Sequence, residues 1–176
     1  GENMNYSNIK YFDIANGTGV RTSLFVSGCT HRCKGCFNEV AWDFNAGSIF
    51  NKEIEDEIIK SLEPTYISGL SLLGGEPLEI VNQRGLINLL RRVKKEFPDK
   101  NIWCYTGYTY DTDLMEGGTA FCECTKEILG LIDILVDGEF VADLYDISLR
   151  FRGSSNQRII DLRKTEKTGS IWELFV

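Results

Sequence analysis

The sequence predicts an α/β protein with a parallel sheet, arranged either as an incomplete, open (β/α) barrel or as an open twisted sheet. Short apolar runs typical of strands alternate with amphipathic runs typical of helices, and this order predicts right-handed βαβ units. The chain has 176 residues, too few for a closed eight-unit barrel, which takes about 250. In both architectures ligands bind at the carboxyl ends of the strands.

Four apolar runs predict the strands of this sheet. In chain order they are RTSLFVSG from Arg21, ISGLSLLGGEP, NIWCYTGY and LIDILVDG. Each run is short and ends at a glycine-containing segment, as strands that lead into turns commonly do. The cysteine-rich segment after the first run, GGEP, TGY and DGEF are therefore expected to meet on one rim of the sheet.

Three runs with helical periodicity lie between the strands. NKEIEDEIIKSLEP places Ile54, Ile58 and Leu62 on one face and ends at Pro64. NQRGLINLLRRVKKEFP is a longer amphipathic helix that stops before Pro98. CTKEILGL predicts one or two further helical turns before the fourth strand.

We expect a single domain over residues 4 to 176. Residues 1 to 3 precede Met4, which we interpret as the natural start, so these three residues are expected to be a remnant of an expression vector. The least patterned stretch, residues 109 to 124, is expected to be a variable loop. Residues 162 to 176 are expected to be a terminal extension.

Composition and charge exclude several classes of function. A net charge of -7 is against broad nucleic-acid binding, which needs a basic face. The basic run LLRRVKK is interpreted as the solvated face of a helix. The polar beginning lacks the apolar core of a signal peptide, and no run approaches the ~20 apolar residues of a membrane span. A cytoplasmic protein without a membrane partner is expected.

Three cysteines lie close together in SGCTHRCKGCFNEV, at Cys29, Cys33 and Cys36. In a cytoplasmic chain, thiols clustered in this way indicate metal ligands rather than disulfides. A closed [4Fe–4S] site uses four cysteine thiolates, so three leave one iron free to bind a small molecule. Of the other three cysteines, Cys104 stands alone, and the C-x-C pair Cys122 and Cys124 is interpreted as incidental thiols.

Two alternatives compete with an open cluster. Cys29, Cys33 and Cys36 with His31 would form a Cys3His zinc site. His31 is the single histidine of the chain and lies between two of the cysteines, where closing a tetrahedron would strain the loop. The second alternative is three unrelated reduced thiols, which the spacing makes a poor explanation.

The motifs together resemble the radical S-adenosylmethionine (SAM) superfamily. C-x3-C-x2-C ends the first strand, Phe37 follows the third cysteine, and GGEP ends the second strand. NGTGVRTSLFVSGCTHRCKGCFN, LLGGEPL, IWCYTGY, ILVDGEF and RGSSNQR resemble, in order, the anaerobic ribonucleoside-triphosphate reductase-activating proteins. This resemblance runs from about Met4 to about Asp161 and implies an incomplete, open barrel of the radical SAM type.

The resemblance also implies a reaction. Cys29, Cys33 and Cys36 would be the catalytic ligands of a [4Fe–4S] cluster whose open iron binds the amino and carboxylate groups of SAM. Reductive cleavage of SAM would give a 5'-deoxyadenosyl radical, which removes a hydrogen atom from a glycine of the reductase. The implied partners are the large glycyl-radical subunit of the anaerobic reductase and an electron donor such as reduced flavodoxin.

Further residues are predicted to bind SAM. In GGEP, Gly74 and Gly75 would let the backbone approach the ligand, and Glu76 suits its ammonium group. Thr106 and Asp137 lie at predicted strand ends, where ribose or carboxylate contacts and plain turn or cap roles are equal alternatives. By resemblance, three residues of the cysteine motif line the adenosyl group. The predicted set is Gly35, Cys36, Phe37, Gly74, Gly75, Glu76, Thr106 and Asp137.

Two other segments have less specific interpretations. NGTGVR precedes its strand and lacks the lysine of a phosphate-binding loop, so it predicts a turn, with Arg21 expected to pair with an acid at the sheet edge. RGSSNQR is either a contact with SAM or the partner protein or a structural loop. The functional alternatives are an activase for another glycyl-radical enzyme, a short radical SAM cyclase, and a non-enzymatic metal-binding interaction module.

Overall fold

The computed structural model describes residues 3 to 175. Its centre is a sheet of seven strands, covered by four α-helices. The strands are β1 Asn5–Asp13, β2 Val20–Val26, β3 Ser48–Ile49, β4 Ile67–Gly74, β5 Asn101–Tyr105, β6 Ile134–Asp137 and β7 Arg158–Asp161. The helices are α1 Lys52–Ser61, α2 Ile80–Glu96, α3 Thr125–Leu131 and α4 Leu162–Thr168.

The strand order is β3-β1-β2-β4-β5-β6-β7, so the described sheet is open, with β3 and β7 at its edges. The prediction of a parallel sheet is confirmed for β2, β4, β5 and β6. It is wrong for the flanks, where β1 pairs antiparallel with β2 and β3, and β7 pairs antiparallel with β6. A short turn joins β1 to β2, and such a turn allows only antiparallel pairing, whereas helices connect the parallel strands.

The elements predicted from apolar runs are all present, and the missed elements lie outside those runs. Strand β1 has the sequence NYSNIKYFD, and most of its side chains are exposed or only half-buried. Its place in the sheet depends on backbone pairing with β2, which leaves little hydrophobic signal. Helix α4 begins where the Asp161 carboxylate accepts the N–H of Lys164 at 3.0 Å, and it ends at Gly169 with a left-handed φ of 76°.

The two faces of the central strands have different environments. Leu24, Leu72 and Cys104 point into the main core, which is shared with buried side chains of α1, α2 and α3. Because side chains alternate along a strand, the residues between them face the other, concave side of the sheet. Cys104 is completely buried in the core, so its place in the fold is that of an apolar packing residue.

Arg21 lies on the concave side and is completely buried. The expectation that it pairs with an acid is wrong, because its guanidinium donates to the Ser71 hydroxyl at 2.7 Å and to the carbonyls of Leu70 and Asn101 at 2.9 and 3.1 Å. The guanidinium also lies 5.8 Å from the centre of the Trp103 ring. Burial lowers its pKa to about 10, which leaves the group charged at neutral pH. Arg21, which belongs to β2, therefore links this strand to β4 and β5.

The last described residues extend the sheet edge rather than leaving it. Asp161 donates its N–H to the Trp172 carbonyl at 2.9 Å, and Leu174 donates to the Ile159 carbonyl at 2.7 Å. Residues 109 to 124 form a series of turns. Across residues 3 to 175, none of the helices combines the length and the apolar character that crossing a bilayer requires.

Candidate active site

An open cavity of about 900 Å³ lies at the rim where β2 and β4 end. Its lining includes Cys29, Cys33 and Cys36 together with Gly74 and Gly75. The expectation that the cysteine loop (residues 27–40) and GGEP meet on one rim is confirmed by this arrangement. A cavity of this size is within the range of small-molecule and cofactor sites.

The three thiols of the cavity differ in burial, and none forms a disulfide. Cys29 is buried, whereas Cys33 and Cys36 are half-exposed. Burial raises the pKa of Cys29 to about 11, with a further contribution from Glu76, and burial also raises the pKa of Cys33. The N–H of Asn38 points at the Cys36 sulfur, 3.4 Å away. Binding to iron cations would stabilise the deprotonated thiolate form of these cysteines.

An iron–sulfur cluster and a single metal ion require different arrangements of their ligands. Within residues 3 to 175, no three side chains of His, Cys, Asp or Glu converge closely enough to ligate one metal ion. A cubane binds each thiolate through a different iron, so its ligands surround a volume instead of meeting at a point. A tetrahedral zinc ion requires convergence of its ligands.

His31 connects three loops of the rim. Its Nε2 lies 2.7 Å from Oε1 of Glu76, and its Nδ1 lies 2.8 Å from Oε1 of Glu139. Burial by itself lowers the pKa of His31, but the two carboxylates outweigh this effect and raise it to about 9. The ring also packs edge-on against Tyr108, with centroids 4.4 Å apart. Both ring nitrogens are thus bonded to carboxylates, which is against the Cys3His zinc alternative.

Glu76 is buried, and its carboxylate is bonded within the chain. Besides His31, it accepts the N–H of Gly107 at 2.6 Å, the hydroxyl of Thr106 at 2.7 Å and the N–H of Leu78 at 2.9 Å. Two donors on each oxygen satisfy the carboxylate. In this arrangement Glu76 joins the ends of β4 and β5 to the cysteine loop. The predicted contact between Glu76 and the ammonium group of SAM stays a prediction.

Gly74 and Gly75 bring two backbones into close contact. A Cβ on Gly75 would lie 2.6 Å from the carbonyl oxygen of Gly28 and 2.8 Å from that of Ala41. A Cβ on Gly74, whose φ is 118°, would lie 2.6 Å from the N of Val26. The glycines therefore serve the packing of GGEP against the cysteine loop as well as lining the cavity.

Phe37 lies at the cavity mouth rather than in the core. It is 72% exposed, so it is not part of the hydrophobic core. Its ring contacts those of Phe140 and Tyr145, with centroids 5.0 and 5.7 Å away. Gly35 has a left-handed φ of 75° and turns the loop between Cys33 and Cys36 without contributing to the cavity lining.

Thr106 and Asp137 lie outside the described lining of the cavity. Thr106 is bonded to Glu76, as above. Asp137 is 1% exposed and pairs with Arg158 through two contacts of 2.6 and 3.0 Å. It also accepts the N–H of Tyr110 at 2.8 Å. Both side chains thus have structural partners, whereas Arg152, from RGSSNQR, does line the cavity.

Comparison with known proteins identifies the family. Residues 15 to 160 match the family model described as a 4Fe-4S single cluster domain. An anaerobic ribonucleoside-triphosphate reductase-activating protein of Escherichia coli K12 is 44% identical over 162 residues, which are 91% of this chain and 100% of the relative. The chain belongs to this family. The protein of the same name from Haemophilus influenzae is 44% identical over 89% of this chain and 97% of its own length. That of phage T4 is 36% identical over 97% of this chain and 99% of its own.

The 4Fe-4S domain of the activating-protein family indicates an iron–sulfur cluster as cofactor. The described residues fit such a group, because three reduced thiols line a single cavity that is open to solvent. The cavity also extends beyond the cysteines, to side chains of β1 and of RGSSNQR. This leaves room for a second ligand beside the cluster.

Two residues at the start of α2 hold the cysteine loop and were missed from the sequence. Glu79 accepts both the N–H and the hydroxyl of Thr30, at 2.8 and 2.6 Å. Asn82 donates to the carbonyls of Ser27 and Glu76, at 3.0 and 2.8 Å. Their position in the sequence could have indicated this role. They are polar residues at the beginning of a helix whose later turns bury apolar residues.

Proposed function

We propose that this chain is a radical SAM activase that generates a glycyl radical on anaerobic ribonucleoside-triphosphate reductase. The observation that carries the proposal is the placement of Cys29, Cys33 and Cys36 around one open cavity, beside GGEP. The names of relatives that match nearly the whole chain support the choice of the reductase as partner.

Each part of the site has a proposed role. Cys29, Cys33 and Cys36 would hold a [4Fe–4S] cluster, which would bind the amino and carboxylate groups of SAM. When bound and reduced, the cluster supplies one electron that splits SAM into methionine and the 5'-deoxyadenosyl radical, the species that takes a hydrogen atom from a glycine. Glu76 and His31 hold the cysteine loop against GGEP, which fixes the sulfurs relative to the nucleotide.

The proposed SAM-binding residues fall into two groups. Cys36, Phe37, Gly74, Gly75 and Glu76 belong to the cavity lining and are proposed to contact the ligand or to shape its site. The others lie outside the described lining, and their contacts with SAM stay predictions. They are Gly35, Thr106 and Asp137.

The surroundings of the site agree with a protein substrate. The cavity opens to solvent beside an aromatic cluster of Phe37, Phe140 and Tyr145, of which Phe37 and Tyr145 are exposed. Such a mouth admits a segment of a large partner, whereas enclosure would favour a small substrate. Reduced flavodoxin or a similar one-electron donor is proposed as the reductant. A cytoplasmic location is proposed, because clustered cysteines that act as metal ligands are typical of reducing compartments.

Removal of one cluster ligand tests the chemistry. After anaerobic reconstitution with iron and sulfide, wild-type protein is expected to convert SAM to 5'-deoxyadenosine when a reductant is added. Cys33→Ala is expected to give only background 5'-deoxyadenosine, measured by chromatography, because a cubane needs its protein thiolates. Cys124→Ser is the control, since Cys124 is half-exposed and lies outside the described cavity lining. Zinc instead of iron, or a cluster whose spectrum ignores SAM, would overturn the proposal.

The choice of partner is tested separately. Activated protein mixed with the reductase and SAM is expected to give a protein radical by electron paramagnetic resonance, and glycine labelled with carbon-13 in the reductase should split its signal. Formation of 5'-deoxyadenosine without this radical would contradict the reductase as substrate. A radical on a different glycyl-radical enzyme would then support the alternative activase.

A further inference from the structure

Large apolar side chains are exposed at the mouth of the cavity, mainly on the segment between β6 and β7. Residues 141 to 148 of this segment are all exposed. Ile147 is 86% exposed, and Phe37 of the cysteine loop is exposed beside the segment. Soluble proteins rarely collect such side chains at one place on the surface unless that place binds a partner. The set, called the mouth patch, consists of Phe37, Val141, Leu144, Tyr145 and Ile147.

The mouth patch adjoins the cavity and the cysteine loop. Phe37 belongs to the cavity lining, and its ring contacts that of Tyr145. A Cβ added to Gly35, between Cys33 and Cys36, would lie 3.6 Å from the Cβ of Ala142. The patch is therefore part of the rim through which the cavity opens.

Backbone hydrogen bonds hold the segment of the mouth patch in place. Ser155 donates its N–H to the Leu144 carbonyl at 3.0 Å, and Asp146 donates to the Gly153 carbonyl at 3.2 Å. Gly153 itself lines the cavity. The exposed side chains are thus carried by a backbone that is tied to the cavity wall, so a partner that binds them has little chain to order.

The proposed reaction indicates what covers the mouth patch. A hydrogen atom moves only between atoms that are in contact, so the reductase must bring its glycine into the cavity. The surface of the reductase around that glycine then lies against the rim. A protein that donates an electron has no such requirement, because an electron crosses between proteins without contact of the reacting groups.

We infer that the mouth patch is the docking surface for the reductase and binds an apolar face of that protein next to its glycine. The inference rests on the proposed function, because the reductase is the partner proposed there. A few side chains that lose water on binding carry most of the affinity of a typical interface. Leu144 and Ile147 supply affinity for the partner in this way, whereas the cysteine loop holds the groups that react.

A double variant, Leu144→Asp with Ile147→Asp, tests the docking surface. Both side chains are exposed, and neither belongs to the described cavity lining. With cluster-loaded protein, the KM for the reductase in glycyl-radical formation is expected to rise at least about tenfold, measured by paramagnetic resonance at a series of reductase concentrations. Iron content, melting temperature and the 5'-deoxyadenosine formed from SAM without reductase should match wild type. Leu144→Met with Ile147→Leu keeps the patch apolar and should retain the wild-type KM.

Tyr66→Asp is the matched control, because Tyr66 is 60% exposed and precedes β4, at the end of the sheet opposite to the rim. It is expected to leave the KM for the reductase unchanged. An unchanged KM in the double variant would overturn the inference and leave the proposed function intact.

Three other outcomes would also decide the matter. Loss of 5'-deoxyadenosine without reductase in the double variant would overturn the inference, because the segment would then act on the cofactor. A wild-type dimer that the double variant converts to a monomer, with the KM unchanged, would overturn it and assign the mouth patch to a second copy of the chain. Failure of wild-type protein to form a radical on the reductase would overturn the proposed partner, and the inference with it.

Discussion

At the scale of single residues, the contacts of His31 connect the cysteine loop to the loops after β4 and β6. Glu76 is 1% exposed in its side chain and Glu139 is 56% exposed, so the two ends of the bridge differ in environment. Loss of a donor to a buried carboxylate costs far more than loss of one to an exposed carboxylate. The bond through Nε2 is therefore the one that matters for stability.

Substitutions of His31 separate the two bonds. His31→Gln places an amide donor near the position of Nε2, and His31→Asn places it near Nδ1. We expect His31→Gln to lower the free energy of unfolding by less than about 1 kcal/mol, and His31→Asn by about 2 kcal/mol, because only the latter leaves Oε1 of Glu76 without this donor. Urea denaturation under anaerobic conditions measures both. Equal losses for the two variants would contradict the assignment, and Glu139→Gln should resemble wild type.

The sequence predicted the residues of the site better than it predicted their contacts. Cys29, Cys33 and Cys36 are a local pattern, and the chemistry of thiolates makes such a pattern specific. The pairing of His31 with Glu139 spans 108 positions and depends on the order of the strands, which no local signal contains. The same reason explains the hydrogen bonds that Glu76 accepts from three separate segments, which the sequence did not predict.

At the scale of secondary-structure elements, the central strands were predictable and the flanking ones were not. Most side chains of strands β2, β4, β5 and β6 are buried, and each of these strands carries several apolar residues in a short run. Strand β1 and the residues after α4 pair at the periphery through backbone groups. Hydrogen bonds between backbones leave no trace in composition, which is why these parts were described only as a polar beginning and a terminal extension.

The close approach of GGEP and the cysteine loop is a property of two elements, and Gly75→Ala tests it. The added methyl would press on the backbone oxygens of Gly28 and Ala41, neither of which can move as a flexible side chain can. We expect a loss of about 1 to 3 kcal/mol in the free energy of unfolding, measured by urea denaturation.

Gly130→Ala is the control for this substitution. Gly130 lies in α3, and a Cβ there would meet no atom within 4 Å. Because alanine favours the helix, this variant should gain about 0.5 to 1 kcal/mol. Wild-type stability of Gly75→Ala would show that the two backbones are farther apart than described.

At the scale of the whole molecule, the open sheet has a cavity on one face and unpaired backbone groups along its two edge strands, β3 and β7. The helices cover one face, and the cavity occupies part of the other. An unprotected edge invites pairing with another chain. At the β7 edge, Ile160 forms an antiparallel bridge with Glu173, and the Leu174 side chain packs on a small cluster of Trp103, Val136 and Ile159. The terminal residues are therefore part of the sheet.

This placement predicts unequal effects of the same substitution at two adjacent positions. Leu174→Asp would put a carboxylate against the apolar side chains of Trp103 and Ile159, and we expect it to lower the free energy of unfolding by about 2 kcal/mol. Phe175→Asp should stay within about 0.5 kcal/mol of wild type, because Phe175 is 84% exposed. Thermal and urea unfolding of both full-length variants measure the difference. Equal stability of the two would mean that the end of the chain does not close the β7 edge in solution.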